Sequence, residues 1–290
     1  MSKIKFITDS ASDITKEYAE KYNIDVQGFP ITVGDKSFRD GDISNEEYYD
    51  LIDASPELPV HSQLTAFEFG ELFEKYAGEG YEDIFYISIN AHGSATYQNA
   101  CSARNNYFSE HPEMSGKVNI RVLDSTSYSG TYGYPVIEAA KMAEEGKSAD
   151  EIEKYLADWF EVCEVYLAVY GLRYVKKSGR VSAAAAFAGE LLGLKPIILL
   201  KGENTKVVAK PRGAQNVVPK LADVTCERIE KDSPYIVIGG KDLAHREELA
   251  KLLTKRLGYP PVDYSFRVGG AVGANSGPDV VAVAFKAKKN

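Results

Sequence analysis

The chain has 290 residues, more than one domain usually holds, so two domains sharing a cleft is the first expectation. Its 44% hydrophobic and 26% charged residues suit a large core under an ordinary polar surface, and no apolar run approaches a membrane span. A net charge of -8 argues against a nucleic-acid binder, whose contact face is normally basic.

Strand and helix signals alternate from the start. Residues 4–8 read as a buried strand, followed by Asp9-Ser10 and a helix entered near Asp13. The start lacks the apolar stretch and cleavage site of a signal peptide. Cys101, Cys163 and Cys226 lie far apart and form no CxxC pair, so the expectation is a cytoplasmic protein with reduced thiols. Residues 24–33 carry short strands broken by Pro30. Ser44-x-x-Glu47, Thr65-x-x-Glu68 and Ser148-x-x-Glu151 are capping boxes that open helices. The second of these helices sets Phe69, Leu72, Phe73 and Tyr76 on one face. Residues 84–89 and 118–123 read as strands, with helices over 96–108 and 135–145.

The second half predicts a strand at 165–169 and an Ala-rich helix at 183–192. Residues 196–200 and 206–209 flank Gly202-Glu203-Asn204, a hairpin turn. Helices over 213–231 and 243–257, with strands at 235–239 and 280–285, complete the chain. The fold class is therefore α/β. Residues 1–160 predict an N-terminal domain with a largely parallel sheet, and residues 161–290 a C-terminal domain with a mixed sheet.

Polar groups gather where predicted strands end. Asp9-Ser10-Ala11-Ser12, residues 90–96 (Asn-Ala-His-Gly-Ser-Ala-Thr) and Asp124-Ser125-Thr126-Ser127 form three such loops. His61-Ser62-Gln63 is a fourth. In open α/β sheets the ligand crevice lies at the carboxyl edge of the strands, and helix N-termini there offer N–H donors to an anion. Ser12, Asp13, Ser44 and Thr65 read as helix caps. Ser94 reads equally as a ligand contact, because Gly93 permits close approach and Thr96 is available as the cap. The four histidines show no metal-ligand spacing; His111 and His245 read as solvated, and His61 heads a candidate loop. No phosphate loop, dinucleotide fingerprint or nucleophile elbow is present. A basic cluster, Arg173, Lys176, Lys177 and Arg180, stands out against the acidic total, with Lys210 and Arg212 later.

The residues resemble the DegV family. The resemblance is carried by Thr8-Asp9-Ser10-Ala11-Ser12-Asp13, Ser62-Gln63, residues 94–98 (Ser-Ala-Thr-Tyr-Gln) and Leu123-Asp124-Ser125. Residues 178–182 (Ser-Gly-Arg-Val-Ser), Leu194-Lys195-Pro196-Ile197, Lys210-Pro211-Arg212 and Ser276-Gly277-Pro278 continue it in order across nearly the whole chain. It implies a two-domain carrier enclosing one long-chain fatty acid, without chemistry of its own, without a cofactor or metal and without stable membrane insertion. It also implies a protein partner, an ATP-dependent fatty-acid kinase that phosphorylates the carboxylate, and so a place in phospholipid metabolism. Ser94, His61, Ser62 and Asn275 are then the candidate carboxylate contacts. Phe187, Leu191, Leu192 and Ile198 are candidate tunnel-lining residues, each equally readable as plain core. Arg180 and Arg212 match family positions suited to phosphoryl transfer.

Two positions depart from the family pattern. His61 stands where Thr is usual, in His61-Ser62-Gln63-Leu64, and Asn275 stands where the family has a His before its Gly-Pro turn. The expectation is that the imidazole has moved across the site. Two other readings compete with the carrier. One is a stand-alone serine-dependent hydrolase or transferase, with Ser94 or Ser125, Asp9 or Asp124, and His61 or His92 as base. The other is a regulatory interaction protein.

Overall fold

The computed structural model describes residues 3–179 and 193–289. Strand β1 (Ile4–Asp9) lies between β2 (Ile24–Gln27) and β6 (Asp83–Ser88), and β7 (Asn119–Asp124) pairs with the far side of β6. All three pairings are parallel. All six residues of β6 are buried, as expected where helices cover both faces of a parallel sheet. The chain leaves β1 toward β2 on one side and continues from β6 to β7 on the other. The crevice between β1 and β6 is thus a topological switch point.

The inserted strands β3 (Pro30–Val33), β4 (Lys36–Arg39) and β5 (Val60–His61) make a small antiparallel sheet in the order β4-β3-β5, of which neither β4 nor β5 was anticipated. It packs on α2 (Asn45–Ala54) through Ile31, Val33, Tyr48, Tyr49 and Ile52. Helices α2, α3 (Ala66–Gly78) and α6 (Ala149–Val162) all open with the expected capping boxes. Helix α1 (Lys16–Lys21) begins at Lys16 rather than near Asp13, and α4 (Thr96–Glu110) begins as expected.

Helix α5 (Gly130–Glu144) starts five residues before its expected position, so Pro135 lies inside it. Proline has no N–H for the carbonyl four residues back. That carbonyl, of Thr131, accepts instead from the Trp159 indole at 2.9 Å, which keeps the helix intact.

A five-stranded sheet follows in the order β10-β9-β8-β12-β11: β8 (Cys163–Val169), β9 (Ile197–Lys201), β10 (Asn204–Ala209), β11 (Tyr235–Gly239) and β12 (Val280–Lys286). Neighbouring strands are antiparallel, and single parallel bridges, Ile236–Val262 and Gly239–Arg267, line β11. Gly202 has a φ of 54°, which supplies the left-handed conformation of the expected β9–β10 hairpin turn. Side chains alternate between the two faces. Tyr166, Ile197, Leu199, Val281 and Val283 lie under α8 (Val217–Arg228) and α9 (Leu243–Leu257). Val165, Leu167, Ile198 and Ala282 share one continuous core with Phe6, Phe85 and Ile137 of the first half. Helix α8 is shorter than expected because Gly213 (φ 80°) and a 3-10 turn over Ala214–Asn216 precede it.

Two short helices escaped the sequence reading, α7 (Arg173–Ser178) and α10 (Gly270–Ser276). The helix expected over 183–192, with Phe187, Leu191 and Leu192, and the candidate Arg180 lie outside the described residues. No helix among the described residues is long and apolar enough to cross a membrane.

Candidate functional site

Asp9 ends β1 at the switch point and is completely buried. Its carboxylate accepts from Tyr132 Oη at 2.6 Å, Tyr86 Oη at 2.9 Å and the Ile89 N–H at 2.9 Å. Burial raises its pKa to about 6, and these donors hold the rise in check. Asp9 therefore fixes the start of the β1 and β6 loops from beneath.

The loop after β6 is braced on both sides. The Asp124 carboxylate accepts the Ala91 N–H at 3.0 Å and the Thr126 N–H at 2.8 Å. Asn90 Nδ2 donates to the Gly202 carbonyl at 2.7 Å and to Tyr128 Oη at 3.1 Å, while the Gly202 N–H donates to Thr126 O at 2.8 Å. The hairpin turn of the five-stranded sheet is thereby seated on the carboxyl edge of the parallel sheet. Ser94 is half-buried; its Oγ accepts the Thr96 N–H at 3.2 Å and shares a 2.8 Å bond with Thr96 Oγ1. The expectation that Thr96 caps α4 is corrected: Thr96 is already helical, and Ser94 takes the helix-start donor.

His61 and Asn275, 214 residues apart, are brought together, with His61 Nε2 2.8 Å from Asn275 Nδ2. Asn275 Nδ2 also donates to Ala271 O at 3.1 Å, and two acceptors around one nitrogen orient the amide. With Asn275 Nδ2 as the donor, His61 Nε2 is the acceptor of this bond. Phe29 packs edge-on to the imidazole at 5.8 Å. The two positions at which the chain departs from the family pattern are thus in direct contact.

The remaining expected residues are spread more widely. Ser62 is exposed, and its N–H donates to Pro30 O at 3.1 Å. Ile198 is fully buried on the face that joins the two sheets' core. Arg212 is exposed on the turn before α8, bridged to Leu194. Asp13 does not cap the start of α1, where Thr15 stands; its side chain accepts from Ser129 Oγ and from the Gly269 N–H at 2.8 Å. His111 is not simply solvated, since its Nε2 meets Glu74 at 2.6 Å, and His245 stacks on Tyr170 at 4.3 Å.

Sequence reasoning missed the groups that hold α10. Asp40 accepts the Gly270 N–H at 3.1 Å, the Ala271 N–H at 2.9 Å and Ser10 Oγ at 2.8 Å. Burial raises the pKa of both Asp13 and Asp40. The adjacent glycines Gly269-Gly270, needed where carboxylates approach the backbone closely, were the available signal. A cleft of about 1140 Å³ opens at this end of α10, lined by residues including Asp13, Asp40, Leu72, Arg267 and Gly269 rather than by His61 and Asn275.

Chemically, β5 and α10 bring an imidazole against an amide, and the strand-end loops carry hydroxyls and N–H groups. The Ser94 and Ser125 hydroxyls are engaged with Thr96 and with the Ser127 backbone.

Known proteins agree with this architecture. The chain is 30% identical to a DegV domain-containing protein of Clostridium perfringens over 285 residues, 97% of this chain and 98% of the relative. Its structure is similar to that of a fatty acid binding DegV family protein from Streptococcus agalactiae, with a TM-score of 0.84, 26% identity and 100% of each chain covered. A stearic acid-binding protein from Eubacterium ventriosum also matches, with a TM-score of 0.84 and 23% identity over 98% of this chain and 97% of that one. The model of the DegV family, described as an uncharacterised protein family, matches residues 3–288, and the chain belongs to that family.

Proposed function

We propose that this protein is a cytoplasmic carrier that binds one long-chain fatty acid and presents its carboxylate to an ATP-dependent fatty-acid kinase. The observation that carries the reading is the His61–Asn275 pair, made where α10 meets β5, in a fold whose Streptococcus agalactiae relative binds fatty acid. We take residues 1–160 and 161–290 as its two domains, with α10 returning from the second to complete the site of the first. His61, Asn275, Ser94 and Ser62 receive the carboxylate, Ile198 belongs to the tunnel wall, and Arg212 faces the kinase.

Burying about fourteen methylenes yields roughly 11 kcal/mol at ~0.8 kcal/mol each. After an association cost of ~4 kcal/mol or more, micromolar affinity is within reach. The carboxylate sets the demand for donors, since leaving it buried without them costs several kcal/mol. A carrier solves this by keeping the head at the polar loop edge and the tail in the apolar core. Among the described residues, the Ser94 and Ser125 hydroxyls bond to Thr96 and to the Ser127 backbone, which gives the hydrolase reading no support.

Mass spectrometry of an organic extract, from protein purified without added lipid, tests the proposal. A stoichiometric C14–C18 fatty acid is expected, the range that ~0.8 kcal/mol per methylene makes sufficient. No lipid in the extract, together with no uptake of added oleate or palmitate, refutes it.

A further inference from the structure

Helix α10 has seven residues, too few to hold a helix by itself. Its first N–H groups are taken by two carboxylates from distant parts of the chain: Asp13 accepts Gly269, and Asp40 accepts Gly270 and Ala271. Both carboxylates are themselves fixed. Ser129 Oγ donates to Asp13, and Ser10 Oγ donates to Asp40 while accepting the Phe29 N–H at 3.1 Å. The fit leaves no room for side chains between them. A Cβ at Gly269 would lie 2.9 Å from Asp13 Oδ1, and one at Gly270 would lie 2.8 Å from Asp40 Oδ1.

From Asp40 a short path leads to the proposed head-group site. Asp40 Oδ2 holds the Ala271 N–H, the Ala271 carbonyl accepts from Asn275 Nδ2, and the same nitrogen faces His61 Nε2. One peptide residue therefore separates the carboxylate from the amide. At the other end of the helix, Gly277 lies against the Tyr174 ring of α7, where a Cβ would come within 2.8 Å of the ring, so the helix is confined at both ends.

We infer that Asp40, with Asp13 beside it, is a positioning residue for carboxylate recognition. It sets where α10, and so Asn275 and His61, stand, and does not itself touch the ligand. The inference rests on the reading that His61 and Asn275 meet the fatty-acid carboxylate, and it adds residues that the family resemblance does not mark for that purpose.

Dissociation constants for oleate and for oleyl alcohol, which share the tail and differ at the head, separate positioning from general stability. The wild-type protein is expected to bind oleate at least tenfold more tightly than the alcohol. In Asp40→Asn, oleate is expected to weaken about tenfold, the alcohol less than twofold, and the change should vanish in an Asn275→Ala background. Equal losses for both ligands, or an undiminished tenfold effect beside Asn275→Ala, overturn the positioning role. If circular dichroism shows Asp40→Asn unfolded, Asp13→Asn is read in its place. About a threefold loss confined to oleate supports the role, and an unchanged ratio overturns it. A wild-type protein that binds both lipids equally refutes the head-group reading and the positioning role with it. One that binds neither refutes the carrier itself.

Discussion

His61→Thr and Asn275→His, made singly, each break the 2.8 Å bond between the two side chains, and together they install the family's usual residues at both positions. Either exchange displaces the donor that the pair holds in position, and a hydrogen bond to a charged carboxylate is worth ~2 kcal/mol. Each single variant should therefore bind oleate roughly 2 kcal/mol more weakly, about thirtyfold. Asn275→His additionally loses the amide bond to Ala271 O and sets a second ring against the His61 imidazole. In the double variant a threonine hydroxyl and the new imidazole can pair again, so the loss should shrink to about threefold. The coupling between the positions is then about 3 kcal/mol, large for a pair but fitting for side chains in contact. Isothermal titration calorimetry with oleate reads all four proteins. A double variant that loses the sum of the two single effects would show that the positions are independent, and would refute a compensated exchange across the site.

Stability should fall as pH rises from about 4 to 6. Over that window the folded protein still holds the Asp9 proton, at a pKa of about 6, while the unfolded chain, at the ordinary 3.8, has released it. The slope is ~1.4 kcal/mol per pH unit, or about 3 kcal/mol in all. Asp13 and Asp40, half-buried and with raised pKa values, act in the same direction, and exposed Glu47 and Glu151, whose pKa values are lowered, oppose it in screened solvent. Urea unfolding of wild type and Asp9→Asn across this range checks the assignment, since coincident pH slopes would remove Asp9 from it. Trp159→Phe should destabilise by roughly 2 kcal/mol in the same assay, because the buried Thr131 carbonyl opposite Pro135 loses its donor. A change below about 0.5 kcal/mol would mean that another group satisfies that carbonyl.

Much of the fold is local in origin and therefore legible from residue order. The capping boxes at Ser44, Thr65 and Ser148 need only residues three apart, and each opens its helix as read. The buried run of β6 and the Gly202 turn are equally local, and the polar loops at strand ends follow from βα alternation. Chain order also placed the candidate edge, because parallel strands carry their loops to the same side.

Elements that depend on distant partners were not legible. Helix α5 runs through Pro135 because Trp159, 28 residues from Thr131, takes the carbonyl that a proline leaves unserved. Helix α10 is rich in glycine and small residues, with little helical preference of its own. It exists where carboxylates 256 and 230 residues away hold its first N–H groups. Sequence marked His61 and Asn275 as two separate oddities, and only the return of α10 to the first half made them one contact. The same holds for the raised pKa of Asp9, which comes from its complete burial among residues distant in the chain.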